Sequence, residues 1–468
     1  MCFVNRNSLV KTGMVLLAAS ATMLISSGCI SQARYEEEAR THYASYNVIN
    51  ANELEEFAIG CPQEVTMKDA QQATITYDRL NNITKITKEA QQTKTTTYQI
   101  EAFKPTLQGQ VLYVLRSKIV ISPVTGQYPI YETKEESTEL NALDVNSGDW
   151  LWSSWVPIGG RYNDSAIAPD GKTMAVITST NKGGTTNIVT LLSIHNLELE
   201  GQPVSNIWEN LLFMGAGTNL LRFSSDGKYL AVFGINPEHK PFHSSLFAVN
   251  VYQLPLSDYD NAVKRPITIP MDVSLPQLRY ESDPITPSHL HIFRENWGKT
   301  YHGMFDTETG QEIASMHLRE DLRNTSDVSV AGNRILVIHG GDLTIFKPGD
   351  LTEVDMQFPL VVGGWVVSKT EKFVAIGALR YLVKDRPYIL SIFDARNLNK
   401  PPSEVRILGL YPPKDNYTPP PTAIVGDYLL VLRVHRASEK GTQCDSCTIL
   451  RYNLRKIPSL WAQDEGTQ

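Results

Sequence analysis

The sequence predicts an all-β protein, a β-propeller of about seven four-stranded blades that follows a signal peptide and an N-terminal tether. From about residue 110 onward, short apolar or alternating runs rich in Val, Ile, Leu, Phe and Tyr recur, with Gly, Asp, Asn or Pro between them. Such short runs fit strands, because a helix needs ten or more residues with a period of about 3.6. Paired runs begin near residues 110, 164, 219, 288, 327, 364 and 420. Two β-sandwiches are the alternative all-β architecture.

The first 28 residues have the pattern of a secretory signal peptide. Arg6 and Lys11 are the only charged residues before position 34, and residues 14–25 form an uninterrupted run of apolar and small residues. This run is too short to span a bilayer, which takes about 20 apolar residues. It fits the apolar region of a signal peptide that follows a basic segment.

Residues 26–29 read Ser-Ser-Gly-Cys and resemble the lipobox of bacterial lipoproteins. The resemblance implies that Cys29 is lipidated, so that the mature chain begins there and is anchored to a membrane. Residue 30 is Ile and not Asp, which by the same resemblance implies an outer-membrane location facing the periplasm. An ordinary cleavable signal peptide and an N-terminal membrane helix are the alternatives.

The charge balance argues against nucleic acid as a partner. The chain has 43 basic and 50 acidic residues and a formal net charge of −7. Removal of residues 1–28 takes away two bases and no acid, so the remaining chain is still more acidic. Nucleic-acid binding depends on Lys and Arg neutralising phosphates. The content of 42% hydrophobic and 20% charged residues is that of an ordinary globular protein.

We expect four segments along the chain. Residues 1–28 form the signal peptide, 29–100 a tether and N-terminal segment, 101–456 the propeller and 457–468 a C-terminal tail. Residues 30–60 are expected to be partly disordered. Propeller closure usually pairs strands from the two termini, and residues 95–100 are expected to complete the last blade beside residues 449–454.

Several segments resemble known propeller repeats. Residues 167–176 (IAPDGKTMAV) and 223–232 (FSSDGKYLAV) resemble WD-like and Tol-type blades, in which Asp170-Gly171 and Asp226-Gly227 make tight hairpin turns. Residues 141–152 (NALDVNSGDWLW) resemble a quinoprotein-type blade. The resemblance implies that Asp144 and Gly148 shape a turn and that Trp152 packs between blades. Residues 305–314 are a degenerate copy of it, with Asp306 and Gly310.

The cysteines predict one small disulfide and no cofactor. Cys444 and Cys447 form a C-x-x-C pair, and Cys61 is left over once Cys2 leaves with the signal peptide and Cys29 is acylated. A second C-x-x-C is lacking, and no His follows Cys447 as c-type haem attachment would require. A disulfide between Cys444 and Cys447 is therefore the preferred interpretation, and Cys61 bonding one of them remains open.

No catalytic, metal or cofactor-binding residues are predicted. The chain has no G-x-S-x-G elbow and no GxxxxGK[ST] motif. His289 and His291 share one face of a strand, but no third ligand stands near them in sequence. Asp164, Asp327 and His289 lie near blade starts, where an enzyme would gather ionisable groups. The three tryptophans at positions 150, 152 and 155 are expected in the core.

These features favour a lipid-anchored cell-envelope protein whose propeller is a scaffold for protein–protein contacts. The combination of lipobox and quinoprotein-like blades is similar to the propeller lipoproteins of the outer-membrane β-barrel assembly machinery. From this partial resemblance we take an envelope scaffold with an envelope protein partner, and not barrel assembly itself. The alternative is a surface-anchored carbohydrate-binding or carbohydrate-active propeller enzyme.

Overall fold

Most of the strands that the sequence predicts are found in the computed structural model. It describes residues 43–58, 65–66, 75–77, 83–86, 95–106, 110–124, 130–180, 186–193, 205–206, 221–235, 247–254, 267–271, 278–283, 286–296, 299–317, 325–331, 334–339, 342–347, 350–359, 364–370, 372–379, 388–410, 420–434 and 447–461. No helix within these ranges is long and apolar enough to cross a membrane.

The described residues form a β-propeller, as predicted. Five strands come before blade 1 in the chain: β1 (Ser45–Asn50), β2 (Glu55–Ala58), β3 (Val65–Thr66), β4 (Ile75–Tyr77) and β5 (Ile83–Ile86). Blade 1 consists of β6 (Thr95–Pro105), β7 (Val111–Val124), β8 (Ile130–Asp144) and β9 (Val156–Pro157). Blade 2 consists of β10 (Arg161–Ile167), β11 (Thr173–Thr180), β12 (Thr186–Ser193) and β13 (Ser205–Asn206). Blade 3 consists of β14 (Leu221–Phe223), β15 (Tyr229–Ile235), β16 (Phe247–Gln253) and β17 (Ile267–Met271).

The later blades repeat this pattern from the innermost strand outward. Blade 4 consists of β18 (Leu278–Ser282), β19 (His289–Asn296), β20 (Lys299–Asp306) and β21 (Glu312–His317). Blade 5 consists of β22 (Thr325–Ala331), β23 (Arg334–His339), β24 (Asp342–Lys347) and β25 (Asp350–Pro359). Blade 6 consists of β26 (Trp365–Lys369), β27 (Phe373–Leu379), β28 (Tyr388–Asp394) and β29 (Ser403–Leu408). Blade 7 consists of β30 (Thr422–Val425), β31 (Tyr428–Val434) and β32 (Cys447–Asn453).

The blades form a closed ring. By hydrogen bonding, the described strands make seven sheets of four or five strands and one separate hairpin of β4 and β5. The innermost strands, β6, β10, β14, β18, β22, β26 and β30, lie side by side in that order, and β30 returns to β6. A classification of the whole fold gives six blades; the numbering used below follows the seven sheets.

The antiparallel order gives the ring two different faces. The connections from the first to the second strand and from the third to the fourth strand of each blade lie on one face, which we name the turn face. The connections from the second to the third strand, and those between blades, lie on the opposite face, which we name the loop face. Strands β7 and β8 are longer than the other strands in the ring, so their hairpin extends blade 1 on the loop face.

The core lies between neighbouring sheets, because each sheet is covered on both sides. All seven residues of β28 are buried, so this strand shows no alternation of buried and exposed positions. Between blades 1 and 2, for example, Tyr113 and Leu140 pack against Met174 and Val176. Burial on both faces explains the nearly continuous apolar runs of the sequence.

The ring is closed by the N-terminal strands, although not by the strand that the sequence analysis expected. Strand β1 pairs in parallel with β29 at the outer edge of blade 6, and β2 pairs antiparallel with β32 as the outermost strand of blade 7. The expected closing strand, residues 95–100, instead belongs to β6, the innermost strand of blade 1. That prediction was wrong because residues 95–100 pair with β7 as part of the longer strand β6, whereas Glu55–Ala58 pairs with β32.

Both ends of the described chain therefore belong to the propeller. Residues 43–58, which we expected in a partly disordered tether, pair with two blades. After β32, two short 3-10 helices, Leu454–Lys456 and Pro458–Leu460, bury Ile457 and Leu460 in the core of blades 6 and 7. Residues 457–461 thus pack as part of the fold and do not begin a tail.

Candidate functional site

Most of the cysteines that the sequence analysis singled out lie outside the described residues. This holds for Cys29, Cys61 and Cys444. Cys447 begins β32, where its backbone pairs with Val434, and its side chain is not among the described ones. Lipidation of Cys29 and a disulfide between Cys444 and Cys447 therefore remain predictions.

The two Asp-Gly-Lys segments form hairpin turns on the turn face, as predicted. The Asp170 carboxylate accepts a hydrogen bond from the backbone N–H of Lys172 at 2.9 Å, and Asp226 accepts one from Lys228 at 3.0 Å. Gly171 and Gly227 have φ of 68° and 74°, a left-handed conformation that glycine adopts without steric cost. These aspartates shape turns between the first two strands of blades 2 and 3.

The quinoprotein-like segments also have the structural role that the resemblance implied. Asp144 Oδ1 accepts hydrogen bonds from the backbone N–H groups of Asn146 (2.7 Å) and Ser147 (3.1 Å). In the degenerate copy, Asp306 Oδ1 accepts from Glu308 (2.8 Å) and Thr309 (2.7 Å) in the same way. Both turns follow the third strand of a blade, so the motif marks a position in the blade and not a ligand site.

The three tryptophans do not form a common platform. Trp152 is buried between blades 1 and 2, with its ring centroid 6.0 Å from that of Tyr113. Trp150 and Trp155 contact each other on the side of blade 1 that packs against blade 7, with centroids 5.2 Å apart. The guanidinium of Arg116 lies 3.8 Å from the centroid of Trp155. The tryptophans pack against the core, as expected.

Asp164 and Asp327 join neighbouring blades. Asp164 Oδ2 accepts the backbone N–H of Leu221, the first residue of the next innermost strand, at 3.1 Å. Asp327 Oδ2 accepts the backbone N–H of Val366 in the next blade at 2.7 Å. The other oxygen of each carboxylate accepts the N–H of the residue that follows it, at 2.8 and 2.9 Å. We name each such contact between innermost strands an inter-blade clip.

A β-bulge places each clip. The register of the innermost strand shifts between Tyr162 and Asp164 in blade 2 and between Thr325 and Asp327 in blade 5. The same shift occurs before Ser368 in blade 6, and Ser368 Oγ accepts the backbone N–H of Ile424 in blade 7 at 2.7 Å. A bulge turns the following side chain out of the regular alternation, which lets it reach the next blade.

The clips give Asp164 and Asp327 a structural role, and the two aspartates do not form a shared site. Asp164 contacts blade 3 and Asp327 contacts blade 6, so their carboxylates lie in different parts of the ring. His289 pairs in register with Asp306 in blade 4. The structure therefore does not bring Asp164, Asp327 and His289 together as one group.

A buried relay of polar side chains lies in blade 4, and the sequence analysis missed it. His291 Nε2 lies 2.8 Å from Asp283 Oδ2, and His291 Nδ1 lies 3.0 Å from His302 Nε2. Because an ionised carboxylate only accepts, His291 donates to Asp283 and accepts from His302 when both rings are neutral. Burial, with a further contribution from His291, lowers the pKa of His302 to about 3. His302 therefore stays uncharged in mild acid.

Neighbouring strands explain why this relay forms. Asp283 follows β18, and His291 and His302 stand on β19 and β20 on the face that packs against blade 5. Phe293, which pairs with His302, packs against Val328 and Val330 of blade 5. Among the described residues, no group of three or more His, Cys, Asp or Glu side chains could hold a metal ion.

The innermost strands of blades 1 to 3 bring together the polar group that we name the channel cluster: Lys104, Tyr162, Asp164 and Arg222. Lys104 Nζ lies 4.0 Å from Asp164 Oδ1. Burial lowers the pKa of Lys104, and Arg222 lowers it further, whereas Asp164 opposes the change. Tyr162 donates to or accepts from Ser165 Oγ at 3.0 Å, and burial together with Asp164 raises its pKa well above the ordinary value.

The channel cluster places bases and acids close together. Asp164 and Arg222 act in opposite directions on the pKa of Lys104, and the carboxylates of Asp164 and Glu101 both raise the pKa of Tyr162. The two oxygens of Asp164 each accept a backbone N–H group. Lys104 and Arg222 were not singled out from the sequence, because each is one basic residue in an unremarkable strand.

Comparisons with known proteins identify no family, and the solved structures described below are only distantly similar. No protein-family model matches the chain, and no curated protein matches it. Hydrazine synthase of Kuenenia stuttgartiensis is 13% identical over 75% of this chain and 95% of its own, with a TM-score of 0.41. An uncharacterized protein of Listeria monocytogenes is 13% identical over 76% of this chain and 94% of its own, with the same TM-score of 0.41.

A third structure with a low TM-score is TolB of Acinetobacter baumannii. It is 12% identical over 66% of this chain and 82% of its own, with a TM-score of 0.35. At these identities and TM-scores, the likenesses carry no argument about function.

Proposed function

We propose that this chain is a lipid-anchored cell-envelope protein whose propeller serves as a scaffold for protein–protein contacts. The anchor is Cys29, supported by the signal-peptide pattern and the Ser-Ser-Gly-Cys segment before residue 30. Outer-membrane attachment facing the periplasm is the location that Ile30 favours. The partner is another envelope protein, and the proposal includes no role in barrel assembly.

The observation that carries the proposal is where the chain enters the ring. Ala44 donates its backbone N–H to Pro402 O at 2.9 Å. The hydroxyl of Ser45 lies 2.8 Å from that of Ser459, which lies 2.7 Å from that of Ser403. Ala44, Ser45, Pro402 and Ser403 lie at the third-to-fourth-strand end of blade 6, and Ser459 follows the third strand of blade 7; both places are on the turn face. The anchored segment therefore leads to the turn face.

The tether between anchor and propeller is short. Residues 30–42 separate Cys29 from Tyr43. A fully extended chain spans at most about 3.3–3.6 Å per residue, so the tether reaches roughly 45 Å. In the proposed arrangement, the turn face is held toward the membrane and the loop face points toward partners.

Both faces carry long connections. On the turn face, the turns between the first and second strands are short, with residues 283–288 the longest of them, but the third and fourth strands are joined by longer segments at residues 145–155, 194–204 and 254–266. On the loop face, the connections at residues 207–220, 236–246, 409–421 and 435–446 are also long, and the β7–β8 hairpin projects beyond its blade. Long loops on a rigid framework are common sites of binding.

The polar groups near the centre of the ring also favour a scaffold over an enzyme. The carboxylates of Asp164 and Asp327 accept backbone N–H groups of neighbouring blades, and Asp283 accepts from His291 and Thr286. Each of these groups thus stabilises the ring. Their arrangement suits rigidity, which a docking platform needs.

The anchor is tested by metabolic labelling with a fatty-acid analogue in intact bacterial cells. The native chain and a Cys61→Ala control are expected to incorporate the label, and Cys29→Ala is expected to incorporate none. The same three forms are then cross-linked in cells, purified and analysed by mass spectrometry. We expect one set of envelope proteins with the native chain and the control, and its loss with Cys29→Ala.

Two results would overturn the proposal. Equal labelling of all three forms, or none of any, would contradict lipidation of Cys29. Recovery of no cross-linked protein with a form that is labelled and membrane-bound would contradict the scaffold function and leave the anchor intact.

A further inference from the structure

Five basic side chains lie together on the turn face of blades 6 and 7. We name them the basic patch: Lys372, Arg396, Lys400, Arg455 and Lys456. Lys372 ends the turn before β27, Arg396 and Lys400 lie between β28 and β29, and the last two belong to the helix after β32. The turns are in contact, because Ala395 N–H donates to Lys372 O at 2.8 Å.

Two acidic residues in the described part of this region, Asp394 and Asp427, lie beneath the bases. Asp427 accepts Arg455 Nε at 2.6 Å and lies 3.9 Å from Lys372 Nζ, and Asp394 accepts Arg396 Nε at 3.0 Å. The side chains of Asp394 and Asp427 are 7% and 20% exposed, whereas those of Arg396, Lys372 and Arg455 are 38%, 50% and 70% exposed. Among these described side chains, the basic groups are therefore more exposed to solvent than the acidic ones.

This concentration of bases contrasts with the described turns of blades 2, 3 and 4. In blades 2 and 3, each exposed lysine of a turn, Lys172 or Lys228, has an aspartate two residues before it. The turn of blade 4 carries Asp306 and Glu308. Within a chain of formal net charge −7, the basic patch is thus a local reversal of sign.

A tryptophan lies among the bases. Trp461 is half-buried, donates its indole N–H to Leu454 O at 2.9 Å, and packs edge-on against Phe373. Lys372 Nζ lies 5.7 Å from its ring centroid, and the Arg455 guanidinium lies 5.8 Å away. Tryptophan beside basic residues is typical of surfaces that meet lipid headgroups.

The tether arrives beside this patch. Ser45, at the start of β1, contacts Ser459, which lies between Lys456 and Trp461 in the chain. Pro402, which accepts the Ala44 N–H, lies two residues after Lys400. The segment that leads back to Cys29 therefore leaves the propeller next to the basic patch.

We propose that the basic patch rests on the anionic phospholipid headgroups of the membrane that holds the anchor. The contact fixes the propeller with its turn face down, so that the loop face is presented to partners. This inference rests on the proposed anchoring of the chain. It adds which surface of the propeller meets the membrane and which headgroups that surface binds. The attraction between basic groups and an anionic bilayer extends over about one Debye length. A short tether keeps the basic patch within that distance of the membrane.

The test separates the patch from the anchor by using unacylated protein. A chain that begins at residue 30 keeps every sheet of the ring, because the described strands start at Ser45. It is mixed with phosphatidylcholine vesicles, with or without added phosphatidylglycerol, and bound protein is measured by sedimentation. We compare it with the patch variant Lys372→Gln/Arg455→Gln/Lys456→Gln. The matched control, Lys118→Gln/Lys172→Gln/Lys228→Gln, removes the same number of charges elsewhere.

We expect the parent chain and the control to bind the phosphatidylglycerol vesicles and to dissociate with added salt. The patch variant is expected to bind them at least about 100-fold more weakly, since each basic residue near an anionic surface contributes roughly a fivefold factor. Thermal unfolding of the three proteins is expected to agree, which verifies that each is folded.

Three results would overturn the inference. The parent chain fails to bind phosphatidylglycerol vesicles, or the patch variant and the control weaken binding equally. Alternatively, inorganic phosphate displaces the protein more effectively than sodium chloride at the same ionic strength, which would indicate a phosphate site instead of a membrane surface. All three are independent of whether Cys29 is acylated, so they do not depend on the labelling experiment.

Discussion

Asp327 Oδ2 accepts the backbone N–H of Val366 at 2.7 Å, and this bond joins the innermost strands of blades 5 and 6. Its second oxygen accepts the N–H of Val328 at 2.9 Å, so one carboxylate satisfies two backbone groups in two blades. A buried N–H without an acceptor is costly. The bulge before Asp327 therefore has a direct role in ring stability.

Replacement of Asp327 by Ala is expected to lower the free energy of unfolding by about 1–3 kcal/mol, because it leaves buried N–H groups without an acceptor. Asp327→Asn keeps one acceptor oxygen and is expected to cost less. Chemical denaturation measures both. The control is Asp149→Ala on the turn face, for which we expect a change within about 0.5 kcal/mol. Equal stability of Asp327→Ala and the control would contradict the clip.

The contact of β2 with the turn after β8 predicts that two glycine substitutions lower the free energy of unfolding by different amounts. Gly148 and Gly171 have φ of 80° and 68°, so alanine at either position costs roughly 1–2 kcal/mol in backbone strain. At Gly148 the added Cβ also overlaps the ring of Phe57 on β2, whereas at Gly171 it meets no atom within 4 Å. We expect Gly148→Ala to be the more destabilising, by about 1–3 kcal/mol in denaturant unfolding.

The Phe57→Ala background tests the cause of that difference. With the ring removed, Gly148→Ala and Gly171→Ala are expected to cost about the same. A difference that persists in this background would show that contact with β2 is not the reason.

The histidine relay predicts a loss of stability in mild acid. Burial holds the pKa of His302 at about 3, below the ordinary value of about 6.5 in the unfolded chain. Between these values the unfolded state binds a proton that the folded state does not, so stability falls as the pH falls, by about 1.4 kcal/mol per unit. Urea unfolding from pH 7.5 to pH 4.5 measures the slope. His302→Gln is expected to make the slope shallower, and an unchanged slope would contradict the assignment.

The turn at Asp306 predicts a second pH dependence of stability, at lower pH than that of the histidine relay. Partial burial would raise the pKa of Asp306, but hydrogen bonds from Thr309 and Glu308 outweigh it, so that the pKa is lowered. The stabilisation is therefore complete above the unfolded value of about 3.9 and is lost as the pH falls through the folded value. Asp306→Asn is expected to lose less stability than the native chain between pH 5 and pH 3. Parallel curves for the two proteins would exclude this contribution.

The architecture could be predicted from the sequence because its signal is repeated. Strand-length apolar runs recur through most of the chain, and the Asp-Gly-Lys and Asp-x-x-x-Gly turns mark the ends of particular strands. The closing strands could not be predicted in the same way. Residues 55–58 are a short segment with two glutamates, and only their partner in β32 makes them a strand.

The polar contacts were harder to predict than the fold, because they join residues that are distant in the chain. Asp164 and Asp327 were noticed, but their role depends on bulges that sequence patterns do not reveal. His291 was noticed together with His289, whereas its partners are Asp283 and His302. A polar residue that stands in the middle of an innermost apolar strand is the signal that would have identified the clips.

The pairing of the first strands with the last blades also governs how the molecule is made. Ser45 pairs with Ser403 and Glu55 with Arg451, so the segments synthesised first find their partners only when nearly the whole chain exists. Until then, β1 and β2 present open edges that are prone to wrong pairing. A chain cut short before β32 lacks the strand that β2 needs. The ring can therefore close only in a chain that has been synthesised through β32.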